Sequence, residues 1–514
     1  MDELDASVLV AHEAMPPPPP PPPAVFDWRP CPAHVARPLT EAGDRFDLGD
    51  FTTWLHAAGV VDTSAIDLPG ATVTLPFGMR LLGRMEAVVR DRYEAHGYEE
   101  YDYPLLVPAT ALEPTRRLMP LENALVSAGD DRDWAAGRKR MVLTPTGEAA
   151  VYTHWARVVR HRSDLPIRSY RRTRYYRPAR PGRGVFRGIE ALDVFEFQSC
   201  HAVEREAHAA FGDAFAMCRE VAAALHVPVL WATRPPWTNN AAVAEVTIGG
   251  DVPLPRGSTI QVASVYRQGQ RFSTVYDVAY REHGRRVHTW HVTGALTRRL
   301  LLMHLMLGMD ADGELLVHPD LAPTQVALTM AGGDADEQAA ARRLAAALDR
   351  RGVRCRSSFP VGRDEVGRAH RDWRRQGVPL RLYLHAGRAP GERVKVVVVR
   401  ADTRAEAVLL PERLDTLADA LARALAEVGA GYLQRVRRFV TDRCRAAADR
   451  DSAKEVLAGR AVAVLPLTAD RRSVQEVASW GLGEVLGLRR AAEPRPCVVS
   501  GRPTTAVAFV SARR

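Results

Sequence analysis

Lysine and cysteine are scarce in this 514-residue chain, and several common signatures are missing altogether. Lysine occurs only at Lys139, Lys395 and Lys454, so the net charge of +9 rests almost wholly on arginine. Coding bias accounts for that pattern. Phosphate binding is the second reading, because guanidinium groups grip phosphate oxygens in pairs. The six cysteines, Cys31, Cys200, Cys218, Cys355, Cys444 and Cys497, are scattered and form no CxxC pair. That argues against a disulfide framework and against a four-cysteine zinc site. No apolar run approaches the ~20 residues that cross a bilayer. The acidic start MDELDASVLV lacks the basic segment and apolar core of a secretory signal, so the expected location is the cytoplasm. There is no P-loop, GxGxxG, nucleophile elbow or HExxH, and no internal repeat.

What is present is ordinary for a globular protein: 46% hydrophobic and 25% charged residues, enough chain for two or three domains. The run MPPPPPPPP at residues 15–23 is an extended polyproline rod, either a linker or a docking segment for an SH3-like partner. Residues 1–45 are read as a disordered, proline-rich tail. MRLLGRMEAVVRDRYEAHG then carries Leu82, Met85, Val89 and Tyr93 at helical spacing, with Gly97 as a stop. RSYRRTRYYRP and EALDVFEFQSCHAV are strands joined by a loop rich in Gly, Pro and Arg. A long helix, several short strands and the apolar helix in GALTRRLLLMHLMLGM follow. Strands in a row with helices around them predict an α+β domain on a mainly antiparallel sheet over residues 46–320. Over residues 321–430 strands and helices alternate, which predicts an α/β domain with a largely parallel sheet. A small α/β domain closes the chain over 431–514.

Candidate chemistry lies mostly in loops. Arg177, Arg180, Arg183 and Arg187 crowd one Gly/Pro-rich turn. Four guanidiniums there repel one another, so an anion such as a triphosphate is a natural partner, a solvated basic loop being the alternative. Arg298 and Arg299 open the apolar helix, where dipole and guanidinium together suit a phosphate. Of the two, Arg299 fits a plain surface arginine better. In LTPTGEAAVY, Thr146 and Glu148 stand two apart. An extended backbone would point both to one side, where they could hold an ammonium group. The same residues also read as a helix start with Thr146 as cap.

Taken in order, these segments resemble prolyl-tRNA synthetase of the archaeal and eukaryotic form, from about Asp50 to the C-terminus. VTLPFGMRLLGRMEAV is similar to the family's first, dimer-forming motif, and VLTPTGEAAVY to its Pro-Thr-Ser-Glu proline-binding segment. DLPIRSYRRTRYYR leading to VFRGIE resembles motif 2, and HVTGALTRRLL motif 3. GSTIQVASVYRQGQRFS, HPDLAPTQVALTM, RDWRRQGVPLRLYL and CVVSGRPTTAVAFVSARR match further segments. The resemblance implies a class II catalytic domain, an anticodon-binding domain and a C-terminal module. It implies ATP-dependent activation of an amino acid, proline first, to an aminoacyl-adenylate, and transfer to tRNA by a homodimer. Arg177 and Arg298 would be catalytic. Arg177, Arg187, Glu190, Gln261, Ser264 and Arg298 would bind ATP, with Gln261 also on Mg²⁺. Thr146, Glu148, Arg177, Phe197, His201 and Tyr266 would bind the amino acid.

The chain also departs from the family pattern. Pro178 and Ala179 follow Arg177 where motif 2 carries a glutamate. Phe197 replaces a tryptophan, Tyr266 a histidine, and Val292-Thr293-Gly294 a Ser-Trp-Gly. The stretch ending at His201 is about four residues longer. In the C-terminal module Cys497 remains but Ser500 stands where its partner cysteine would be, and a lone thiolate cannot build a tetrahedral site. No zinc is expected. Two alternatives follow from these changes: an adenylating paralogue for another amino acid in a specialised pathway, or a silent tRNA-binding or regulatory paralogue.

Overall fold

The computed structural model describes residues 9–10, 22–30, 48–66, 71–119, 126–130, 132, 135–136, 141–177, 184–186, 190–237, 241–387 and 393–512. Helix α1 (Pro76–Ala95) starts on a proline and buries Phe77, Leu81, Leu82, Met85, Val89 and Tyr93 on one stripe. Gly97 turns the chain out of it at φ 76°. Helix α2 (Glu148–Val158) follows, then strands β1 (Ile167–Tyr176) and β2 (Glu190–His201). Next come α3 (Glu204–Ala224), β3 (Leu230–Thr233), β4 (Val246–Pro253), β5 (Thr259–Gly269), β6 (Trp290–Thr297) and α4 (Arg299–Gly308).

Within the first sheet these strands run in the order β3-β4-β5-β6-β2-β1, each of these pairs antiparallel, and the short edge strand Glu99–Glu100 lies parallel to β1. Helices α1, α3 and α4 cover one face, and their apolar stripes meet Phe195, Phe197, Val265 and Val292 in the largest core cluster. The other face is left for a cleft. This is the antiparallel α+β layout that the order of segments predicted.

A second sheet is formed by β7 (Val326–Ala331), β8 (Cys355–Ser358), β9 (Leu380–His385), β10 (Lys395–Arg400) and β11 (Glu406–Leu409). Its order is β8-β7-β9-β10-β11. The expected largely parallel sheet needs correction, because it is mixed: β7 runs parallel to β8 and β9, while β9–β10 and β10–β11 are antiparallel. The stretch 386–394 is shorter than the dozen or so residues that a parallel crossover needs, so the chain turns back as a hairpin. Helices α5 (Ala335–Asp349), α6 (Arg363–Arg375) and α7 (Ala418–Arg443) belong to this part. Asp334 caps α5 in a reciprocal box with Glu337.

Two boundaries differ from the sequence reading. Position 430 falls inside α7, which continues to Arg443. Gly429 and Gly431 lie within the helix. They are small because His318 and Asp402 crowd them: an added Cβ would lie 2.9 Å from His318 Nε2 and 2.1 Å from Asp402 Oδ2. The proposed tail is also not all tail. Leu9 is buried, and the Arg490 amide donates to the Val10 carbonyl at 2.7 Å. Trp28 Nε1 donates to Glu427 Oε2 at 2.8 Å, with Phe26 and Trp28 packed on the second core. The rest of residues 1–45 lies outside the described residues.

The last strands, β12 (Cys444–Ala446), β13 (Val462–Pro466), β14 (Glu484–Pro496) and β15 (Pro503–Ser511), join the first sheet. Leu488 of β14 pairs with Thr233 of β3. Among the described residues no helix is long and apolar enough to cross a membrane.

Candidate active site

Several stretches meet over the open face of the first sheet around a solvent-open cleft of about 290 Å³. The turn before α2 brings Thr146 and Glu148. The end of β1 brings Tyr175 and Arg177. Strand β5 brings Gln261, Ser264, Tyr266 and Gln268, and β2 brings Val194 and Glu196. Arg299, first residue of α4, completes the rim beside Thr293–Ala295 and Thr297 of β6.

Local backbone explains why these side chains converge. The helix begins after Gly147, not after a Thr146 cap, and the Thr146 hydroxyl instead donates to the Glu148 carboxylate. On β5 the register against β4 jumps from Asp251↔Gln261 to Gly250↔Ala263, so Val262 bulges out. That extra residue lets Gln261 and Ser264, three apart, share one face.

The cleft floor is a buried ion pair. Arg171 and Glu196 stand directly opposite each other on β1 and β2. Arg171 Nε and Nη2 donate to Glu196 Oε2 at 3.2 and 3.0 Å, and Nη2 also donates to the Tyr175 hydroxyl at 3.1 Å. Gly147 lies against this pair: a Cβ there would stand 1.9 Å from Glu196 Oε2 and 2.5 Å from Arg171 Nη2. Only glycine lets the turn approach so closely. Burial, and then the neighbouring Glu196, raise the Glu148 carboxyl above the usual range, while the Thr146 hydroxyl and Arg177 pull it back. A cation placed there would stabilise the carboxylate. Arg177 is exposed, and its Nε–H donates to the Pro145 carbonyl at 2.9 Å, which fixes its guanidinium at the mouth beside Thr146.

Thr146, Glu148, Arg177, Gln261, Ser264 and Tyr266 therefore share one cleft. Others do not. Arg298 is buried beneath it: its Nη1 donates to the Thr74 hydroxyl at 2.8 Å and lies 3.5 Å from Asp193 Oδ2. The arginine that reaches the cleft is Arg299, the one that looked like a surface residue. The turn of chain from β6 into α4 decides which of the two neighbours faces inward. Phe197 points to the helix side, with its ring edge-on to Tyr93 and Tyr98 at 5.6 and 5.5 Å between centroids. His201 shares that parity, is buried against the Ser199 hydroxyl at 2.9 Å, and burial lowers its pKa to about 4. Asp193, at φ 49°, sits where β2 slips register against β1, between Thr173↔Val194 and Tyr175↔Ala191. From Val194 onward every second residue faces the cleft, which selects Glu196 and rejects Phe197. Arg180, Arg183 and Arg187 lie outside the described residues, as does the side chain of Glu190.

Sequence reasoning missed Arg171, Tyr175, Glu196 and Gln268. One signal was available. Glu196 stands between Phe195 and Phe197 in an apolar strand, where a carboxylate must find a buried partner.

An antiparallel sheet with helices behind it, an open cleft in front, and a mixed second sheet define the fold of a class II aminoacyl-tRNA synthetase. Within that class the likeness is to the prolyl enzymes, over most of the chain in sequence and in fold. No family model matches the sequence. The proline--tRNA ligase of Thermococcus kodakarensis is 26% identical over 462 residues, covering 86% of this chain and 90% of that one. The proline--tRNA ligase of Ignicoccus hospitalis is 26% identical over 471 residues, covering 88% and 95%. The structure of Giardia lamblia prolyl-tRNA synthetase in complex with prolyl-adenylate superposes with a TM-score of 0.79 at 19% identity, covering 91% of this chain and 98% of that one. The Cryptosporidium parvum prolyl-tRNA synthetase complexed with L-proline and AMP gives 0.76 at 18% identity, covering 90% and 94%.

Proposed function

We propose that the chain is a proline–tRNA ligase: it joins proline to ATP as prolyl-adenylate and passes the prolyl group to tRNA. The carrying observation is the convergence of Thr146, Glu148, Arg177, Gln261, Ser264 and Arg299 on one cleft. The amine of proline is received by Thr146 and Glu148, whose carboxylate is otherwise short of compensating charge. Arg177, at the mouth, grips the substrate carboxylate and the α-phosphate together. That carboxylate attacks the α-phosphorus, and pyrophosphate leaves. Negative charge grows on the phosphoryl oxygens as it does so, and a guanidinium fixed in advance stabilises it without reorganisation. The tRNA ribose hydroxyl then attacks the prolyl carbonyl and AMP departs. No protein nucleophile is needed.

Arg299 takes the phosphate-holding part first given to Arg298. Arg187 and Glu190 keep their proposed ATP contacts. Phe197 and His201 have no place in the proline pocket in this arrangement. Its walls are Met119, Val194, Val243 and Tyr266, and its floor is the Arg171–Glu196 pair. For Mg²⁺ the described part of the rim offers the Gln261 amide oxygen. This suits an ion that is held largely by substrate phosphates and water and that neutralises phosphate charge when bound.

The three-part division of the chain is kept, with the second boundary moved to the end of α7. The exposed arginines Arg363, Arg368, Arg371, Arg374 and Arg375 along α6 support an anticodon-reading role for that part. Exposed Met79 on α1 supports a homodimer through the first motif. The proposed compartment is the cytoplasm. For the C-terminal module no zinc is proposed. Cys497 there accepts from the Thr468 amide at 3.4 Å, and its thiol pKa of about 7 reflects hydrogen bonds from Ser500 and Thr468 working against burial.

The test is ATP–pyrophosphate exchange with each of the twenty amino acids. Exchange driven by proline supports the reading. Exchange driven by another amino acid, or none at all, sinks it.

A further inference from the structure

A cluster of ligand-type side chains lies away from this cleft. His226 stands just after α3. His318 and Asp320 lie in the segment between α4 and β7. His226 Nε2 is 3.0 Å from Asp320 Oδ2, and His318 Nδ1 is 3.4 Å from the same oxygen. All three ligand atoms fall within 4.8 Å of one another, the one such group among the described residues. A tetrahedral zinc with bonds of ~2.0–2.1 Å has ligand-to-ligand edges of about 3.3 Å. Two edges of the cluster already have that length.

Hydrogen bonds fix which nitrogen of each ring faces Asp320. His226 Nε2 can donate to Asp320. His318 Nδ1 instead accepts the Asp320 backbone amide at 3.3 Å, so its lone pair sits beside a carboxylate oxygen. Two electron-rich atoms then face each other. The other ring nitrogen faces Gly429, where an added Cβ would lie 2.9 Å away. His304, directly behind, is engaged at both nitrogens: Nε2 accepts the His318 amide at 3.2 Å, and Nδ1 meets the Leu225 carbonyl and the Tyr432 hydroxyl at 2.9 and 3.0 Å. It supports His318 and is not a ligand.

We propose that His226, His318 and Asp320 bind a zinc ion, with water in the fourth position. The ion would tie the end of α3 to the chain that enters the second sheet. Neutral imidazoles and an ionised carboxylate are the ligand forms such an ion takes. The two imidazole rings now lie with centroids 3.6 Å apart and planes tilted by 38°. An ion between them parts the rings, and the partly exposed His226 is the one able to move. Arg84 and Arg354 donate to the Asp320 carbonyl at 3.3 and 3.2 Å. Their charge opposes a dication, so affinity falls below that of a closed four-ligand site.

The test is a cobalt(II) titration of the chelator-treated full-length protein, followed by visible absorption and by displacement with zinc. One equivalent per chain, with an intense tetrahedral band displaced by zinc, is expected. Asp320→Ala and His226→Ala should each weaken binding by roughly 100-fold or more. Proline-dependent exchange by the metal-free variants should be unchanged, which separates this site from the cleft. Failure of the wild type to bind either metal saturably overturns the proposal without any variant. So does full-strength binding by both variants when circular dichroism shows them folded.

Discussion

Arg299 and Arg298 are neighbours in sequence and opposites in role. Arg299 lines the cleft, and its Nε and Nη1 donate to the carbonyls of Phe186 and Gln261 at 3.0 and 2.9 Å. Arg298 lies one layer down in a network with Asp193, Arg172 and Glu86. Two backbone carbonyls hold the Arg299 guanidinium at the rim of the cleft, within reach of an anion bound there. A buried carboxylate neutralises its partner, so Arg298 serves the fold. The same contrast separates Arg177, anchored by the Pro145 carbonyl, from Arg171, locked to Glu196. In both pairs the arginine on the cleft is held by backbone carbonyls that are described, and the one below it is held by a buried carboxylate.

Substitutions can break this contrast. The largest effect is expected for Arg177→Ala, which should reduce proline-dependent exchange by at least roughly 100- to 1000-fold. Its urea midpoint should stay at the wild-type value. Near-normal exchange would remove the mechanism. Arg171→Ala should do the converse, costing ~3–5 kcal/mol of stability in denaturant titrations because Glu196 is left buried and unpaired. Gly147→Ala should show a similar loss, since the new methyl group displaces that pair. Arg298→Ala is expected to cost about 3 kcal/mol, the lower end, because Asp193 retains Arg172. If instead Arg298→Ala abolished exchange at unchanged stability, the assignment of the two neighbours would be reversed.

A smaller effect concerns pH. The Glu148 carboxyl has a raised pKa in the folded protein, and in the proposed mechanism its ionised form receives the substrate amine. As pH falls, the KM for proline should therefore rise, beginning above the ordinary glutamate value of about 4.3. Glu148→Gln should raise the KM at neutral pH by roughly 10- to 100-fold and flatten that profile. A profile unchanged by the substitution would remove Glu148 from amine binding.

Much of the fold was legible in the sequence, because strand and helix periods are local. The stripe from Leu82 to Tyr93 and the two charged strands around the motif 2 loop could be read directly. The site was legible where position along the chain decides it, as for Thr146, Glu148, Arg177, Gln261 and Ser264. It was not legible where a bulge or a turn resets parity. The slip at Asp193 turns Phe197 away and Glu196 inward, and the entry into α4 exchanges Arg298 for Arg299. The continuation of α7 past position 430 was hidden for a related reason. Gly429 and Gly431 mark close packing by residues far away in sequence, which no local pattern reveals.

The most direct measurement is a crystal structure with a non-hydrolysable prolyl-adenylate analogue. The proline nitrogen should lie within hydrogen-bond distance of Thr146 and Glu148, and the phosphate-like group should lie on Arg177, with Arg298 still bound to Asp193. An analogue seated elsewhere, or one held by Arg298 with Arg177 turned to solvent, would contradict the account.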